Sequence, residues 1–292
     1  MKNWIKHKVP GAARGVRWMY HQLNVYRSKP RYYLSRAPFL EKYDFDLLYF
    51  DGRGNHPQQH LDRTKRYVRL GNADVLVVGC RYGNELELWL KEKPKSLVAF
   101  DYFAFPQDWA KMRSAFPNIP LEFFSADAHF LPLADSSFDL VVSDNVLEHL
   151  SDPARAIQEM HRILRPGGMM FAGFVPLFWT FGGAHYSGAF EHLLYPPEKF
   201  YKWIAERNLP VEQSECRHYL DHNMFSYWNI DQYLHAFRLF KKEFITLHLS
   251  KLAYQYRATH PREWSTLLEG YAEKDLLISG ATVWLRKIGT DK

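Results

Sequence analysis

The chain has 292 residues, of which 47% are hydrophobic and 16% aromatic, enough for one domain of ordinary core density with additions. The net charge of +6 is uneven, because residues 1–70 hold 15 Lys and Arg against 5 Asp and Glu. The remaining residues are slightly acidic, so the sequence lacks the basic body that is typical of nucleic-acid-binding proteins. We therefore expect no nucleic-acid partner.

Cysteine content and hydropathy indicate the compartment. The two cysteines, Cys80 and Cys216, are too few for a disulfide framework and are typical of a reducing environment. No apolar run approaches the length of about 18 residues needed for a membrane span, and the N-terminus lacks a signal-peptide pattern. We expect a cytoplasmic protein, with peripheral contact at the inner membrane surface as an additional hypothesis.

The N-terminal segment is strongly basic, with nine Lys or Arg and no acid in residues 1–40. Apolar side chains recur at helical spacing within residues 11–27, which predicts a cationic amphipathic helix. Such a helix either packs over the body as a cap, contacts an anionic membrane, or reaches a phosphate-bearing substrate. We predict a basic helical extension over residues 1–60 and one domain over residues 61–292. The apolar side chains of the stripe are Val16, Met19, Tyr20, Leu23 and Tyr26.

Residues 73–101 have the order strand, tight turn, helix, strand. The apolar run 74–78 leads directly into a glycine-bearing turn, and a helical pattern follows. A second apolar run, residues 97–100, ends in an acidic residue about twenty positions after the glycines. This is the length and order of one βαβ unit, which predicts a nucleoside-binding site.

The turn and the acidic residue suit different parts of such a ligand. Gly79 and Gly83 leave no Cβ between the backbone and a ligand, and the carboxylate of Asp101 can accept two hydrogen bonds from ribose hydroxyls. Because Arg81 and Asn84 stand where a dinucleotide fingerprint has glycines, the pattern does not predict NAD binding.

Residues 125–168 carry four motifs in a fixed order. An Asp-Ala pair follows the third predicted strand, FDLVV forms the fourth, and VLEHL and LRPGG come after it. On these motifs, and over about residues 73–175, the chain resembles the class I S-adenosylmethionine-dependent methyltransferases. The resemblance implies a Rossmann-like fold and S-adenosylmethionine as the cofactor.

The resemblance also implies roles for individual residues. The turn would line the methionine part of the cofactor, the end of the second strand the ribose, and the Asp-Ala pair the adenine. Two positions depart from the family pattern: Val77 replaces an acidic residue that helps to hold the amino group, and Arg81 replaces a glycine. The implied cofactor-binding residues are Gly79, Cys80, Arg81, Gly83, Asp101, Tyr102, Asp127, Ala128 and Asn145.

The other predicted elements complete an α/β fold with a seven-stranded sheet whose strand seven is antiparallel. We predict the third strand over residues 121–125, the sixth over residues 211–218 and a closing, half-exposed strand over residues 279–287. A helix is predicted over residues 153–164, with Asp152 near its start. The predicted buried residues are Ala156, Ile157, Met160, Ile163 and Leu164 on this helix and Leu86, Trp89 and Leu90 on the helix after the glycine turn. Helical patterns dominate residues 219–278, which we interpret as a helical insertion before the last strand and as a lid.

The predicted activity is methyl transfer to an O or N atom of a small-molecule or glycan-type acceptor. Ligands collect at the carboxyl ends of parallel strands, so His149, His185 and His192 are the predicted catalytic residues, with imidazole as proton acceptor. The alternatives are a catalytically silent methyltransferase-fold binding module and an RNA methyltransferase that uses the basic arm. We predict no metal, since neither Asp144-Asn145 nor the His218 and His222 pair forms a complete ligand set.

Overall fold

A computed structural model of the chain describes residues 37–50, 56–207 and 210–289, without the side chains of residues 210–215. The predicted N-terminal amphipathic helix over residues 11–27 lies outside the described residues.

One mixed eight-stranded sheet forms the centre of the molecule, and its strands run in the spatial order first, seventh, eighth, sixth, fifth, second, third, fourth. The eighth strand is antiparallel to both of its neighbours, and all other pairs are parallel. The strands are β1 (Leu47–Phe50), β2 (Asp74–Val78), β3 (Ser96–Asp101), β4 (Leu121–Ser125), β5 (Phe138–Asp144), β6 (Leu164–Phe174), β7 (Phe240–Leu249) and β8 (Ile278–Lys287).

Helices follow most strands and cover both faces of the sheet. They are α1 (Pro57–Thr64), α2 (Leu86–Leu90), α3 (Pro106–Ala115), α4 (Pro153–Ile163), α5 (Glu191–Leu194), α6 (Pro197–Glu206), α7 (Pro210–Asp221), α8 (Ile230–Ala236), α9 (Lys251–Thr259), α10 (Pro261–Gly270) and α11 (Glu273–Leu277). Short 3₁₀ turns occur at Pro38–Lys42, Leu70–Asn72, Leu147–His149 and Phe237–Leu239.

Two large apolar clusters lie on opposite faces of the sheet. On one face, α1, α2 and α3 pack against the alternate strand residues Val75, Val77 and Val142. On the other face, α4 and α8 pack against Leu76 and Val141. Because successive strand side chains point to opposite faces, a sheet covered on both sides needs apolar residues at nearly every position. The strand β2, DVLVV, is buried throughout.

Several predicted elements are confirmed. The strands over residues 74–78 and 121–125 have the predicted bounds, and α4 begins at Pro153, where Asp152 accepts a hydrogen bond from the backbone N–H of Arg155. The predicted buried faces of α2 and α4 also point into the core. Apolar periodicity and capping chemistry are local signals, so they identified these elements correctly.

The predicted sixth strand over residues 211–218 is wrong, because this segment lies in α7. The strand that pairs with the closing strand in its place is β7, which lies within residues 219–278, the segment interpreted as helical. Its sequence, FKKEFITLHL, contains a short apolar run that fits a helix or a strand equally well. Only pairing with neighbouring strands decides between the two.

The strand count and the exposure of the last strand also differ from the prediction. The edge strand β1 pairs with β7, although it lies inside the predicted extension, so the sheet has eight strands rather than seven. The closing strand is buried from Ile278 to Leu285 and not half-exposed, since β6 and β7 flank it within the sheet. The domain boundaries at residue 60 and over residues 219–278 stay predictions.

The helical insertion between the last two strands comprises α9, α10 and α11. It packs against α5 through a separate apolar cluster that includes Phe190, Trp264 and Leu277. In the described residues, none of the helices combines the length and apolar character needed to cross a bilayer.

The strand order reverses between β2 and β5. From β2 the chain moves outward through β3 and β4, and it then returns to the other side of β2 to form β5 and β6. In open α/β sheets ligands bind outside the carboxyl ends of the strands at such a switch point. Here β2 ends at Val78, whose register partner is Ser143, and β5 ends one residue later at Asp144.

Candidate active site

The turn after β2 is fixed by hydrogen bonds to the end of β3. The backbone N–H groups of Gly79 and Cys80 both donate to the carbonyl of Phe100, at 2.9 and 3.0 Å. Gly79 has φ of 70°, and a Cβ built on it would overlap the side chain of Val146, which follows β5. Gly83 has φ of 83°, and a Cβ there would come within 3.0 Å of Met112 Cγ. Both predicted glycines are therefore required by backbone conformation and close packing.

Asp101 joins the turn to the third strand. Its carboxylate accepts hydrogen bonds from the N–H groups of Arg81 at 2.8 Å and Phe103 at 3.1 Å. The side chain is only 8% exposed, yet a carboxylate offers about four lone-pair positions, so it can still accept from ribose hydroxyls. The predicted residues Gly79, Arg81 and Asp101 thus meet in one place.

Arg81 replaces a glycine without altering the turn. It adopts a left-handed conformation with φ of 43°, and its carbonyl accepts a hydrogen bond of 2.8 Å from Trp109 Nε1. Together with the bond to Asp101, these contacts hold a non-glycine residue in a conformation that costs about 1 to 2 kcal/mol.

Cys80 is a buried thiol whose pKa is raised to about 12 by burial and by the nearby Asp101 carboxylate. It is therefore protonated at neutral pH and is not an activated nucleophile.

The Asp-Ala pair lies at the end of β4, next to the Asp101 edge. The Oδ1 atom of Asp127 is 2.5 Å from His129 Nδ1, and the backbone N–H of Asp152 donates to His129 Nε2. Since Nε2 accepts that bond, Nδ1 carries the hydrogen and donates it to Asp127. Ala128 is buried beneath this pair, and Asp127 stays half-exposed.

Two further predicted cofactor residues flank the site. Asn145 follows β5 in a left-handed conformation, with φ of 55°, and its N–H donates to the Gly173 carbonyl. Tyr102 is 66% exposed and has its ring edge-on to Phe103. The predicted cofactor residues therefore follow the carboxyl ends of β2, β3, β4 and β5 in sequence.

His149 and His185 lie together, with ring centroids 4.7 Å apart. His149 Nδ1 is 2.9 Å from the carbonyl of Met224, so Nδ1 carries the hydrogen and Nε2 keeps its lone pair. Burial lowers the pKa of His149 to about 4, and the Arg81 guanidinium adds to the shift. Burial likewise lowers the pKa of His185 to about 3, and its Nε2 makes no hydrogen bond to the described residues. Both imidazoles are neutral at pH 7.

His192 does not join this pair. Its Nε2 lies 2.7 Å from the carbonyl of Phe178, and its Nδ1 lies 2.8 Å from the hydroxyl of Tyr186. Both ring nitrogens are thus engaged within the protein, and burial lowers the pKa to about 4. This geometry argues against the prediction that His192 takes a proton from the acceptor, because a general base needs a free lone pair.

Helix α7 packs beside the site, and only its last residues belong to the segment predicted as a lid, residues 219–278. Tyr219 stacks on His149, with ring centroids 4.3 Å apart, and His218 lies 5.8 Å from the ring of Phe103. The helix therefore bridges the Asp101 edge and the histidine pair. His218 lies in the last turn of this helix and His222 directly follows it, so neither is at a strand end.

Sequence reasoning missed three residues near the turn. Burial raises the pKa of Glu148 well above its ordinary value, which favours its uncharged form. His60, on α1, reaches Asp144 at the end of β5, with 3.4 Å between Nδ1 and Oδ2. Asp144 ends a buried strand at the switch point, a signal that could have identified it. Within the described ranges, no group of three His, Cys, Asp or Glu is arranged to hold a metal ion.

Comparison with known proteins places a family match on this same region. Residues 76–172 match the model described as a methyltransferase domain. An uncharacterized 37.1 kDa protein in transposon TN4556 of Streptomyces fradiae is 37% identical over 150 residues, which cover 50% of this chain and 42% of that relative. A probable S-adenosylmethionine-dependent methyltransferase of Mycolicibacterium smegmatis is 34% identical over 101 residues, covering 35% and 37%. The chain therefore spans about two fifths of the length of these relatives.

A solved structure shows the same fold. The crystal structure of the (4+2)-cyclase SpnF has a TM-score of 0.50 and 18% identity, over 82% of this chain and 86% of that chain. At this identity the likeness concerns the fold alone. The family and sequence matches support a methyltransferase that depends on S-adenosylmethionine. The glycine cradle beside Val146 and the Asp101 carboxylate fit that cofactor.

Proposed function

We propose that the protein transfers a methyl group from S-adenosylmethionine to an oxygen or nitrogen atom of a small-molecule or glycan-type acceptor. The proposal rests mainly on one contact at the switch point of the sheet: the backbone N–H of Arg81, in the Gly79 turn, donates a hydrogen bond to the Asp101 carboxylate. The match of residues 76–172 to a methyltransferase domain supports it. We also propose that the chain belongs to the branch with the VLEHL and LRPGG motifs.

The residues of the chain act mainly by binding and alignment. When bound, S-adenosylmethionine would supply a methyl group on a sulfonium: the acceptor lone pair would bond to the methyl carbon in line with the breaking carbon–sulfur bond, and S-adenosylhomocysteine would be the leaving group. Asp101 would hold the ribose, the turn would leave room for the amino-acid part, and α7 would exclude water from the histidine pair. The Nε2 lone pair of His149 takes the proton that the acceptor loses.

The lowered pKa of His149 limits its share of the rate. An imidazole with a pKa of about 4 is neutral at pH 7, but it is a weaker base than free imidazole. Alignment and exclusion of water therefore contribute more than proton transfer. Aromatic rings beside the histidines, among them the partly buried Phe178 and Tyr219, suit a sugar ring or a flat acceptor.

Cofactor binding is tested by calorimetry with S-adenosylhomocysteine. Asp101→Asn removes a charged acceptor of the ribose hydroxyls, so we expect a loss of about 1.5 to 3 kcal/mol, or about tenfold or more in affinity. Asp108→Asn is the matched control, because Asp108 is a half-exposed carboxylate on α3 that pairs with Lys111. An Asp101→Asn variant that binds as tightly as the control would refute the assignment.

Transfer is tested by measuring S-adenosylhomocysteine release over a panel of hydroxyl and amine acceptors that includes sugars. His149→Gln should lower kcat and leave cofactor affinity unchanged, because His149 is not assigned to the cofactor. His192→Gln should act through stability, since both of its nitrogens are engaged. Full turnover in His149→Gln would leave alignment alone as the mechanism. Cofactor binding without transfer to any acceptor would favour the silent binding module, and transfer only to RNA would favour the RNA methyltransferase.

A further inference from the structure

A small cavity lies between α1, α2 and the carboxyl ends of β2 and β5. It has a volume of about 30 Å³, and Val77, Gly79 and Cys80 contribute to its wall. A volume of this order accommodates one or two groups of the size of water. The cavity therefore suits one small polar group at the end of a ligand that continues along the Gly79 turn.

Two carboxylates reach this cavity without a cationic partner. Asp144 and Glu85 both line it, and in the described part of the chain neither forms an ion pair with a Lys or Arg. Partial burial raises the pKa of Glu85, repulsion by the Asp144 carboxylate adds to this shift, and the Arg81 guanidinium opposes it. Adjacent negative charges that face one cavity make a cation its complementary occupant.

A buried polar atom in the cavity wall is an independent sign of a ligand-binding site. His60 is only 6% exposed and lines the cavity, yet its buried Nδ1 makes no hydrogen bond within the described residues. It approaches Asp144 at 3.4 Å, outside good hydrogen-bond geometry. Buried polar atoms without a partner are rare and call for an explanation, such as a ligand or water.

The neighbouring strand leaves room for the Asp144 carboxylate. A Cβ built on Gly173 of β6 would come within 2.5 Å of Asp144 Oδ1. The glycine thus permits the rotamer that directs this carboxylate toward His60 and the cavity. The arrangement combines a strand end, a facing glycine and a buried histidine, so it is a built site rather than a surface cluster of acids.

We propose that this cavity binds the primary ammonium group of the amino-acid part of the cofactor, with the carboxylates of Asp144 and Glu85 as its partners. The inference rests on the proposed function, because it needs a nucleoside ligand that lies along the Gly79 turn. It assigns the ammonium site to the last residue of β5 and the residue before α2, and Val77 on β2 contributes only apolar wall. The lack of an acidic residue at Val77 is thereby compensated from the adjacent strand.

The test compares three ligands by calorimetry. S-adenosylhomocysteine carries both the ammonium and the carboxylate, its decarboxylated aminopropyl analogue carries only the ammonium, and methylthioadenosine carries neither. For Asp144→Asn and for Glu85→Gln we expect the affinity of both ammonium-bearing ligands to fall about tenfold or more, with methylthioadenosine unchanged within about twofold. Glu87→Gln is the matched control, because Glu87 lies two residues after Glu85, is exposed and pairs with Lys91.

The results distinguish failure of the ammonium site from failure of the proposed function. Unchanged affinity for the aminopropyl analogue in both variants overturns the ammonium site and leaves the proposed function intact. An equal loss for all three ligands in Glu85→Gln, a substitution that keeps the size of the side chain, also overturns it. If the wild-type protein binds none of the three ligands, the proposed function fails, and the ammonium site fails with it.

Discussion

Gly79→Ala tests the junction on which the site depends. Two costs add in this variant. An alanine at φ of 70° is destabilised by left-handed backbone strain of about 1 to 2 kcal/mol. Its Cβ also overlaps both Cγ atoms of Val146, and this overpacking costs about 1 to 3 kcal/mol more. We therefore expect a loss of about 2 to 5 kcal/mol in the free energy of unfolding.

Gly167→Ala separates the two costs. Gly167 has φ of 80°, nearly the same as Gly79, but a Cβ built on it meets no atom within 4 Å. It should pay only the strain, so the difference between the two variants should be about 1 to 3 kcal/mol. Urea denaturation monitored by circular dichroism measures both values, provided that the slope with denaturant is unchanged.

Val146→Ala provides the rescue. It removes both Cγ atoms that the new methyl group meets, so the double variant with Gly79→Ala should show a favourable coupling energy of about 1 kcal/mol or more. Gly79→Ala should also weaken S-adenosylhomocysteine binding, whereas Gly167→Ala should not. Equal destabilisation by the two glycine variants, or no coupling with Val146→Ala, would refute the close approach of the turn to β5.

Three further predictions concern other parts of the chain. The free energy of unfolding should fall as the pH decreases from about 6.5 to 4. In this range the unfolded state binds protons that the folded state does not, because the pKa values of His149, His185 and His192 are lowered in the folded state. His149→Gln should make this pH dependence weaker in urea titrations at several pH values. Tyr233→Phe should cost about 1 to 3 kcal/mol in the same assay, since the buried hydroxyl donates to the Leu147 carbonyl and contacts Ser226; a loss below about 0.5 kcal/mol would contradict this. We also propose that residues 1–40 contact anionic membranes, so deletion of residues 1–30 should abolish sedimentation with anionic vesicles while cofactor binding remains; binding that is insensitive to salt would count against an electrostatic contact.

The sequence by itself determined the first half of the sheet and the turn of the site. Val75 to Val78, the glycines at 79 and 83, and Asp101 are close in the chain, so apolar periodicity and backbone requirements identified them without knowledge of distant contacts. The buried face of α4 and its Asp152 cap were predicted for the same reason. Local patterns of this kind predict the structure correctly where the tertiary contacts agree with the local preference of the chain.

Only the tertiary structure decided the second half of the sheet and the chemistry around the turn. The identity of the strand beside β8 depends on pairing between residues 240–249 and 278–287, which local propensity cannot rank against a helix. Both ring nitrogens of His192 are engaged by Phe178 and Tyr186, which are distant from it in the sequence or reach it only through the fold. Glu85, Asp144 and His60 line one cavity because the switch point places β5 beside β2. Hydrogen bonding and charge complementarity act between residues that are close in space, so the sequence order leaves them undetermined.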